Sequence, residues 1–256
     1  MGKSVQYVHR PHFMLEQKIL GCARKAIDDY HMIRAGDKIA VGVSGGKDSG
    51  ALLWTLRMLQ KFYPLSFELV GITIDMGFDG CDFSDIARMC QTHDISYVVE
   101  QTNIAKVVFD IRKEKNPCSL CANMRRGALH AKAKELGCNK IALGHHRDDV
   151  IETFLMCLFH EAHIHCFSPV TYLDRMDLHM IRPFIYVPES EIVTLAARAE
   201  IPVVHNPCPA NGNTQRQYTK DLIKTLEKDK KNIKQMLFSA IKNSTIQGWD
   251  RDVTSN

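Results

Sequence analysis

The sequence predicts an α/β fold, a doubly wound and mostly parallel sheet with helices on both faces. Two observations carry this. Short strand-like apolar runs alternate with segments of helical period along the chain. Three segments rich in chemical groups, 44–49, Asp75 and 144–149, each fall directly after a predicted strand, where open sheets of this kind bind ligands.

The elements follow in order. Residues 13–30 place Leu15, Ile19, Cys22, Ala26 and Tyr30 close to helical period, with Gly36-Asp37 as the turn into the first strand. The run 38–43 is strand-like, and a helix is expected over 50–62, stopped by Pro64. A second strand covers 67–74. A helix over 82–93, a strand over 96–100 and a helix over 103–111 come next. Residues 119–136 read as helix with Gly137 as the stop. Then come a strand at 140–143, a helix at 150–159 and a strand-like piece at 179–183. Pro188 opens a helix through Glu200, with Glu189 and Glu191 at its positive end. Helices are expected over 215–226 and 232–241, and the last dozen residues are expected to be mobile. No second domain boundary stands out beyond a weak one at 183–188.

Composition sets bounds. The 256 residues suffice for a large domain with a full core, and 45% hydrophobic with 24% charged residues is ordinary for a globular protein. No apolar run reaches the ~18 residues of a membrane span, so no membrane partner is expected. The first residues lack the apolar stretch of an export signal. A net charge of +4 is compatible with a nucleic-acid partner, but a solvated basic surface explains it equally well. Nine cysteines without an export signal point to a cytoplasmic protein without a disulfide framework. Cys22, Cys90, Cys138 and Cys157 fit core positions, while Cys81 and Cys166 show no pattern.

The loop Val43-Ser44-Gly45-Gly46-Lys47-Asp48-Ser49 joins a strand to a helix. Such a junction aims backbone N–H groups and the positive end of a helix dipole at one small volume, so an anion such as phosphate belongs there. The common phosphate loop, G-x-x-x-x-G-K-[ST], fails here twice. Val41 stands where its first glycine belongs, and Asp48 follows the lysine. An acidic residue beside phosphate points to a metal ion between them.

Cys118-Ser119-Leu120-Cys121 starts a helix, with Arg125 and Arg126 one turn on. Thiolates three apart share a helix face near its positive end. A third cysteine, Cys208, sits in Asn206-Pro207-Cys208-Pro209, where the prolines hold an extended backbone. A redox pair, a zinc site completed by His205, an iron–sulfur cluster and unrelated buried thiols all remain open on spacing. Three cysteines on a [4Fe-4S] cluster would leave one iron able to bind substrate or sulfide. Asp148 and Asp149 begin a helix, so one of them serves as a cap. His145 and His146 are capping, surface or catalytic residues. Asp75 is a turn residue or a nucleotide contact.

Taken together, the motifs resemble a known family. Ser44–Ser49 is similar to the S-G-G-x-D-S loop of the ATP-pyrophosphatase (PP-loop) superfamily. With it stand Asp75, Cys118-x-x-Cys121 followed by Arg125-Arg126-Gly127, Leu143-Gly144-His145-His146-Arg147-Asp148-Asp149, Ile181-Arg182-Pro183, and Cys208 followed by Gln215-Arg216-Gln217. In that order they resemble the tRNA 2-thiocytidine synthetases. The similarity runs over about 13–247. It implies a PP-loop domain over 36–205, an added N-terminal helix over 1–35, and a cluster-ligand loop with C-terminal helices over 206–256.

The resemblance also implies an activity. ATP with Mg²⁺ adenylates O2 of cytidine 32 in tRNA, and sulfur then replaces that oxygen with the help of a [4Fe-4S] cluster. Val43 to Ser49, Asp75 and Gly144 would hold ATP. Lys47, Asp48 and Asp149 would be catalytic, the two aspartates on Mg²⁺. Cys118, Cys121 and Cys208 would hold the cluster. Arg125, Arg126, Arg216 and Lys220 would contact RNA. A cysteine desulfurase would supply sulfur to a homodimer. Two departures stand out. The paired zinc fingers of the 2-thiouridine branch are missing, and His205 replaces the first cysteine of a second C-x-x-C. The rival readings are thiolation or desulfuration of another base, a lysidine-type ATP-dependent ligase, and a zinc-stabilised RNA-binding protein.

Overall fold

A computed structural model describes residues 10–113, 117–205, 207–208 and 215–250, with side-chain burial from Met14 onward. One sheet of six strands organises it, in the order β3-β2-β1-β4-β6-β5. The strands are β1 (Asp37–Gly42), β2 (Phe67–Asp75), β3 (Ser96–Gln101), β4 (Lys140–Ala142), β5 (Val170–Leu173) and β6 (Leu178–Ile181). All pairings are parallel except β5 with β6. Strand β5 escapes the sequence reading. It has four residues between Pro169 and Asp174, and half-buried Val170 and Leu173 with exposed Tyr172 make no period-2 signal.

The helices are α1 (Arg10–Asp29), α2 (Lys47–Gln60), α3 (Ser84–Thr92), α4 (Pro117–Glu135), α5 (Arg147–His160), α6 (Glu189–Arg198), α7 (Gln215–Asp229) and α8 (Ile233–Lys242). The expected helix over 103–111 is instead a wide turn of π type, Lys106–Ile111. The β-branched pair Val107-Val108 disfavours a regular helix there. Alternation along β1 divides the core. Ile39 and Val41 join the larger cluster, which includes α1, α2, α5 and α6. Ala40 joins the smaller one under α4 and the π turn.

Two expectations change. Residues 183–188 are no boundary: Pro183, Phe184 and Ile185 are fully buried or nearly so, and the turn Pro183–Tyr186 packs on α1. The C-terminal dozen is not wholly mobile, because Ile246 and Trp249 are buried and Trp249 packs edge-on against Tyr30 and Phe238. Residues 251–256 lie outside the described part. Cys166 is a core residue with no exposed surface.

The strand order reverses direction between β1 and β4, which are neighbours. The loops leaving their carboxyl ends, 43–46 and 143–146, therefore face each other across the switch point.

Candidate active site

The loop after β1 is built by its own serines. Ser44 donates its N–H to Ser49 Oγ (3.0 Å), the two hydroxyls lie 3.1 Å apart, and Ser49 Oγ donates to the Gly46 carbonyl (3.0 Å). Gly45 has φ +85°, a left-handed conformation that glycine alone adopts without strain. Val43 is tied to β2 by its N–H on the Ile72 carbonyl (2.8 Å) and its carbonyl under Thr73 Oγ1 (2.8 Å). The helix α2 starts at Lys47, so its first-turn amides have no intrahelical partner and open onto the loop.

Asp48 and Lys47 flank this opening. Lys47 Nζ donates to Asp48 Oδ2 (3.1 Å) and to Glu189 Oε1 (3.2 Å). Asp48 Oδ1 is buried with no hydrogen-bond partner, and His146 Nε2 is 3.9 Å away. A buried, unpartnered carboxylate oxygen beside an anion cradle fits a cation such as Mg²⁺.

The second wall is the start of α5. His146 is its N-cap, accepting the Asp149 N–H at Nδ1 (3.3 Å), while Asp149 Oδ2 accepts the His146 N–H (3.0 Å). The ring therefore carries its proton on Nε2, toward Asp48. Asp148 faces away from this opening, accepting from the Glu189 N–H (2.9 Å) and pairing with Lys234 (3.1 Å). Gly144 is wedged on the loop: a Cβ there would stand 3.0 Å from the Asp48 carbonyl group. His145 is half-buried against Phe167, and desolvation, aided by the Arg182 charge, lowers its pKa to about 4. It is neutral at ordinary pH.

Two acids escape sequence reading. Glu152, one turn into α5, is buried, and burial pushes its carboxyl up to about 7 although Lys220 and Arg216 pull the other way. Glu189 reads from sequence only as a dipole partner; its side chain reaches Lys47 and Lys220. The i, i+3 offset of Glu152 from Asp149 was the one available signal for the former.

Arg216 and Lys220, expected to hold an RNA backbone, turn inward instead. Arg216 donates to Asp149 Oδ1 (2.8 Å) and Glu152 Oε2 (3.3 Å), and Lys220 lies 3.3 Å from Glu189 and 3.6 Å from Glu152. Buried or half-buried carboxylates outcompete solvent for these cations. Arg125 and Arg126 are exposed on α4, with Arg126 on the Asn123 side chain (3.0 Å). Asp75 caps its own turn, accepting the Gly77 N–H (2.9 Å).

The cysteines gather at the same rim. Cys118 is exposed and Cys121 half-buried at the start of α4. Burial raises the Cys121 thiol, Arg125 opposes this, and the Cys208 and Cys118 thiols add to it. The three thiols thus share one neighbourhood, with Met76 Sδ 3.5 Å from Cys121 Sγ. Four positions before Cys208, the chain is tied to the nucleotide loop: the Val204 N–H donates to the Gly45 carbonyl (2.9 Å). Asn206 and Pro209, its expected flanking residues, lie outside the described part. Among the described residues, no three His, Cys, Asp or Glu side chains converge closely enough for a single metal ion, His205 included.

Comparisons with known proteins fit this geometry. A family described as a PP-loop domain matches residues 16–226. A tRNA-cytidine(32) 2-sulfurtransferase of Citrifermentans bemidjiense is 39% identical over 222 residues, covering 86% of this chain and 87% of that one. The protein of the same name from Neisseria meningitidis serogroup C is 36% identical over 231 residues, covering 90% and 72%. Among solved structures, the U34-tRNA thiolase NcsA from Methanococcus maripaludis, with its [4Fe-4S] cluster, superposes with a TM-score of 0.72 at 25% identity over 88% of this chain and 77% of that one. A PP-loop match over most of the chain, with 36–39% identity over 72–87% of the length of these cytidine enzymes, leads to one conclusion: the chain belongs to the tRNA-cytidine(32) 2-sulfurtransferase family of the PP-loop superfamily.

Proposed function

We propose that this protein thiolates C2 of cytidine 32 in tRNA, using ATP, Mg²⁺ and a [4Fe-4S] cluster. The observation that carries the reading is the tether between Val204 and Gly45. It ties Val204, four positions before Cys208, to the nucleotide loop, which supports a reading in which an activating half and a sulfur-handling half share one rim.

In this reading the amides of Ser44 to Ser49 and the first turn of α2 cradle the phosphates of ATP. Lys47 neutralises them, and Asp48 Oδ1 with Asp149 is the natural seat for Mg²⁺. The cytidine O2 attacks the α-phosphorus, and pyrophosphate leaves. Adenylation is needed because an amide-like oxygen is a poor leaving group. The oxygen then departs with AMP as sulfur takes its place at C2. A [4Fe-4S] cluster held by three thiolates keeps one iron without a protein ligand and supplies a mount for the incoming sulfur. Cys118, Cys121 and Cys208 would hold that group; the influence of the Cys118 and Cys208 thiols on Cys121 supports this reading. His145, next to Gly144, and Arg182 both pack against the ring of Phe167. Exposed Arg125 and Arg126 face an RNA backbone, and splayed loop bases are the part of tRNA such a site reads.

The remaining expectations belong to the same proposal: a cysteine desulfurase as sulfur donor, a homodimer and a cytoplasmic setting. No helix among the described residues is long and apolar enough to cross a membrane. The test is direct. Anaerobically reconstituted protein, given ATP, Mg²⁺, sulfide and tRNA, should form 2-thiocytidine at position 32, read by mass spectrometry of nuclease fragments. Cys208→Ala should lose both thiolation and cluster absorbance. Full activity in that variant would break the three-thiolate assignment, and a ligated amino acid on the base would point to the ligase class.

A further inference from the structure

Glu189 is the first residue of α6, and its carboxylate is shared between two elements that are far apart in sequence. Oε1 accepts from Lys47 Nζ on the nucleotide loop (3.2 Å) and from Lys220 Nζ on α7 (3.4 Å), and Oε2 accepts from the same Lys220 ammonium (3.3 Å). Its backbone N–H is fixed separately on Asp148 Oδ2 (2.9 Å). Lys220 also lies 3.6 Å from Glu152 Oε1. A cavity of about 40 Å³ adjoins the network, lined by Asp148, Glu152, Glu189, Lys220 and Lys234. The side chains of Glu189 and Lys220 thus have room to shift.

We infer that Glu189 is a positioning residue that couples occupancy of the nucleotide loop to α7. The inference rests on the nucleotide reading of the loop given above. Lys47 stands at the start of α2, where the phosphates enter. A phosphate that takes its ammonium must draw it from Glu189. Glu189 is then left to Lys220, and the α5–α6–α7 contacts tighten around that pair. The exchange has a cost. Asp48, Asp149, Glu152 and Glu189 gather here around Lys47, Arg216 and Lys220, so a polyanion enters beside a cluster of carboxyl groups whose cations it must share. Glu189 therefore opposes ATP binding while linking it to α7. α7 begins at Gln215, seven positions after Cys208 in sequence, and it carries both Arg216 and Lys220 against the acids of α5 and α6. Coupling of this kind is reciprocal.

The experiment compares wild type, Glu189→Gln and Lys220→Met. ATP affinity with Mg²⁺ is measured by calorimetry, amide exchange of 215–229 is followed with and without ATP, and thiolation is assayed. Glu189→Gln preserves shape and the backbone bond to Asp148. It should bind ATP several-fold more tightly, lose the ATP-dependent change in α7 exchange, and thiolate at least tenfold more slowly at saturating ATP. Lys220→Met should lose the α7 response without the gain in affinity. An intact α7 response in Glu189→Gln, or weaker ATP binding with kcat unchanged, overturns the inference. Wild-type protein that binds no ATP would instead overturn the nucleotide reading beneath it.

Discussion

Gly144 lies against the backbone of Asp48 so closely that a methyl group on it would stand 3.0 Å from both the carbonyl carbon and oxygen of that residue, and 3.1 Å from Ser49 N. The loop after β4 and the loop after β1 are therefore fitted to each other without side chains between them. Gly144→Ala has only backbone to push against, and that backbone shapes the phosphate cradle. ATP affinity should fall about tenfold, or ~1.4 kcal/mol. Global stability should fall by ~1–3 kcal/mol, as overpacked sites do. Calorimetry with ATP beside a thermal melt separates the two effects. Unchanged affinity would mean that the loop yields without altering the cradle.

A second prediction concerns the far end of β1. Asp37 and Lys140 form a buried pair at 2.9 Å, with Asp37 also accepting from the Arg34 N–H (2.6 Å) and the Asn139 amide (2.7 Å), and Lys140 donating to the Met32 carbonyl (2.7 Å). Burial opposes ionisation of Asp37, but the Lys140, Arg34 and Asn139 bonds outweigh it and hold the carboxyl below its ordinary value of 3.8. Asp37→Ala leaves a buried ammonium unpaired and should cost ~3–5 kcal/mol, a melting shift on the order of 10 °C. A depressed folded pKa contributes stability that is fully present above the unfolded pKa and is lost as pH falls through the folded value. The stability difference between wild type and Asp37→Ala should thus be flat above about pH 5 and close only in stronger acid. A gap that narrows near neutral pH would contradict this.

These two sites show where the sequence was legible. Glycine at 144 and the S-G-G-K-D-S run are local signals, and strand-then-turn periodicity places both at one sheet edge. The parallel core strands follow from the same logic. What stayed hidden is long-range pairing. Nothing in 142 positions of separation announces that Glu189 holds Lys47, and a lone basic residue such as Arg216 reads as an RNA contact until the carboxylates of Asp149 and Glu152 are seen beneath it. Strand β5 was hidden for another reason: an antiparallel edge of four residues is too short for its pattern to rise above the loop around it.

Arg216 yields a third prediction. If its guanidinium serves the floor of the site, Arg216→Ala should lower thiolation turnover and leave the salt dependence of tRNA binding as it is. Arg125→Ala and Arg126→Ala, on the exposed face of α4, should behave oppositely. Each should reduce the slope of log K against log salt by about 0.7–0.9, the value expected for one phosphate contact. Filter binding of tRNA over a salt series reads this. A slope change in Arg216→Ala would restore it as a backbone contact.

The cysteines offer a fourth prediction, because their surroundings separate them by reactivity before any function is assumed. Cys90 and Cys166 are 1% and 0% exposed, and burial pushes both thiols up to about 11. The thiolate is the nucleophile, so at pH 8 only about one in a thousand of either is reactive, and that fraction has no access. Cys118 is exposed at the positive end of α4. In cluster-free native protein, iodoacetamide should label Cys118 first and leave Cys90 and Cys166 untouched until the chain is unfolded. After anaerobic reconstitution, Cys118, Cys121 and Cys208 should become protected together, while half-buried Cys22 and Cys81 keep their slow rates as internal controls. Peptide mass spectrometry gives all of these rates from one sample. Protection confined to Cys118 and Cys121 would reduce the site to the pair on one helix turn, and labelling of Cys118 that ignores iron and sulfide would remove it from the ligand set.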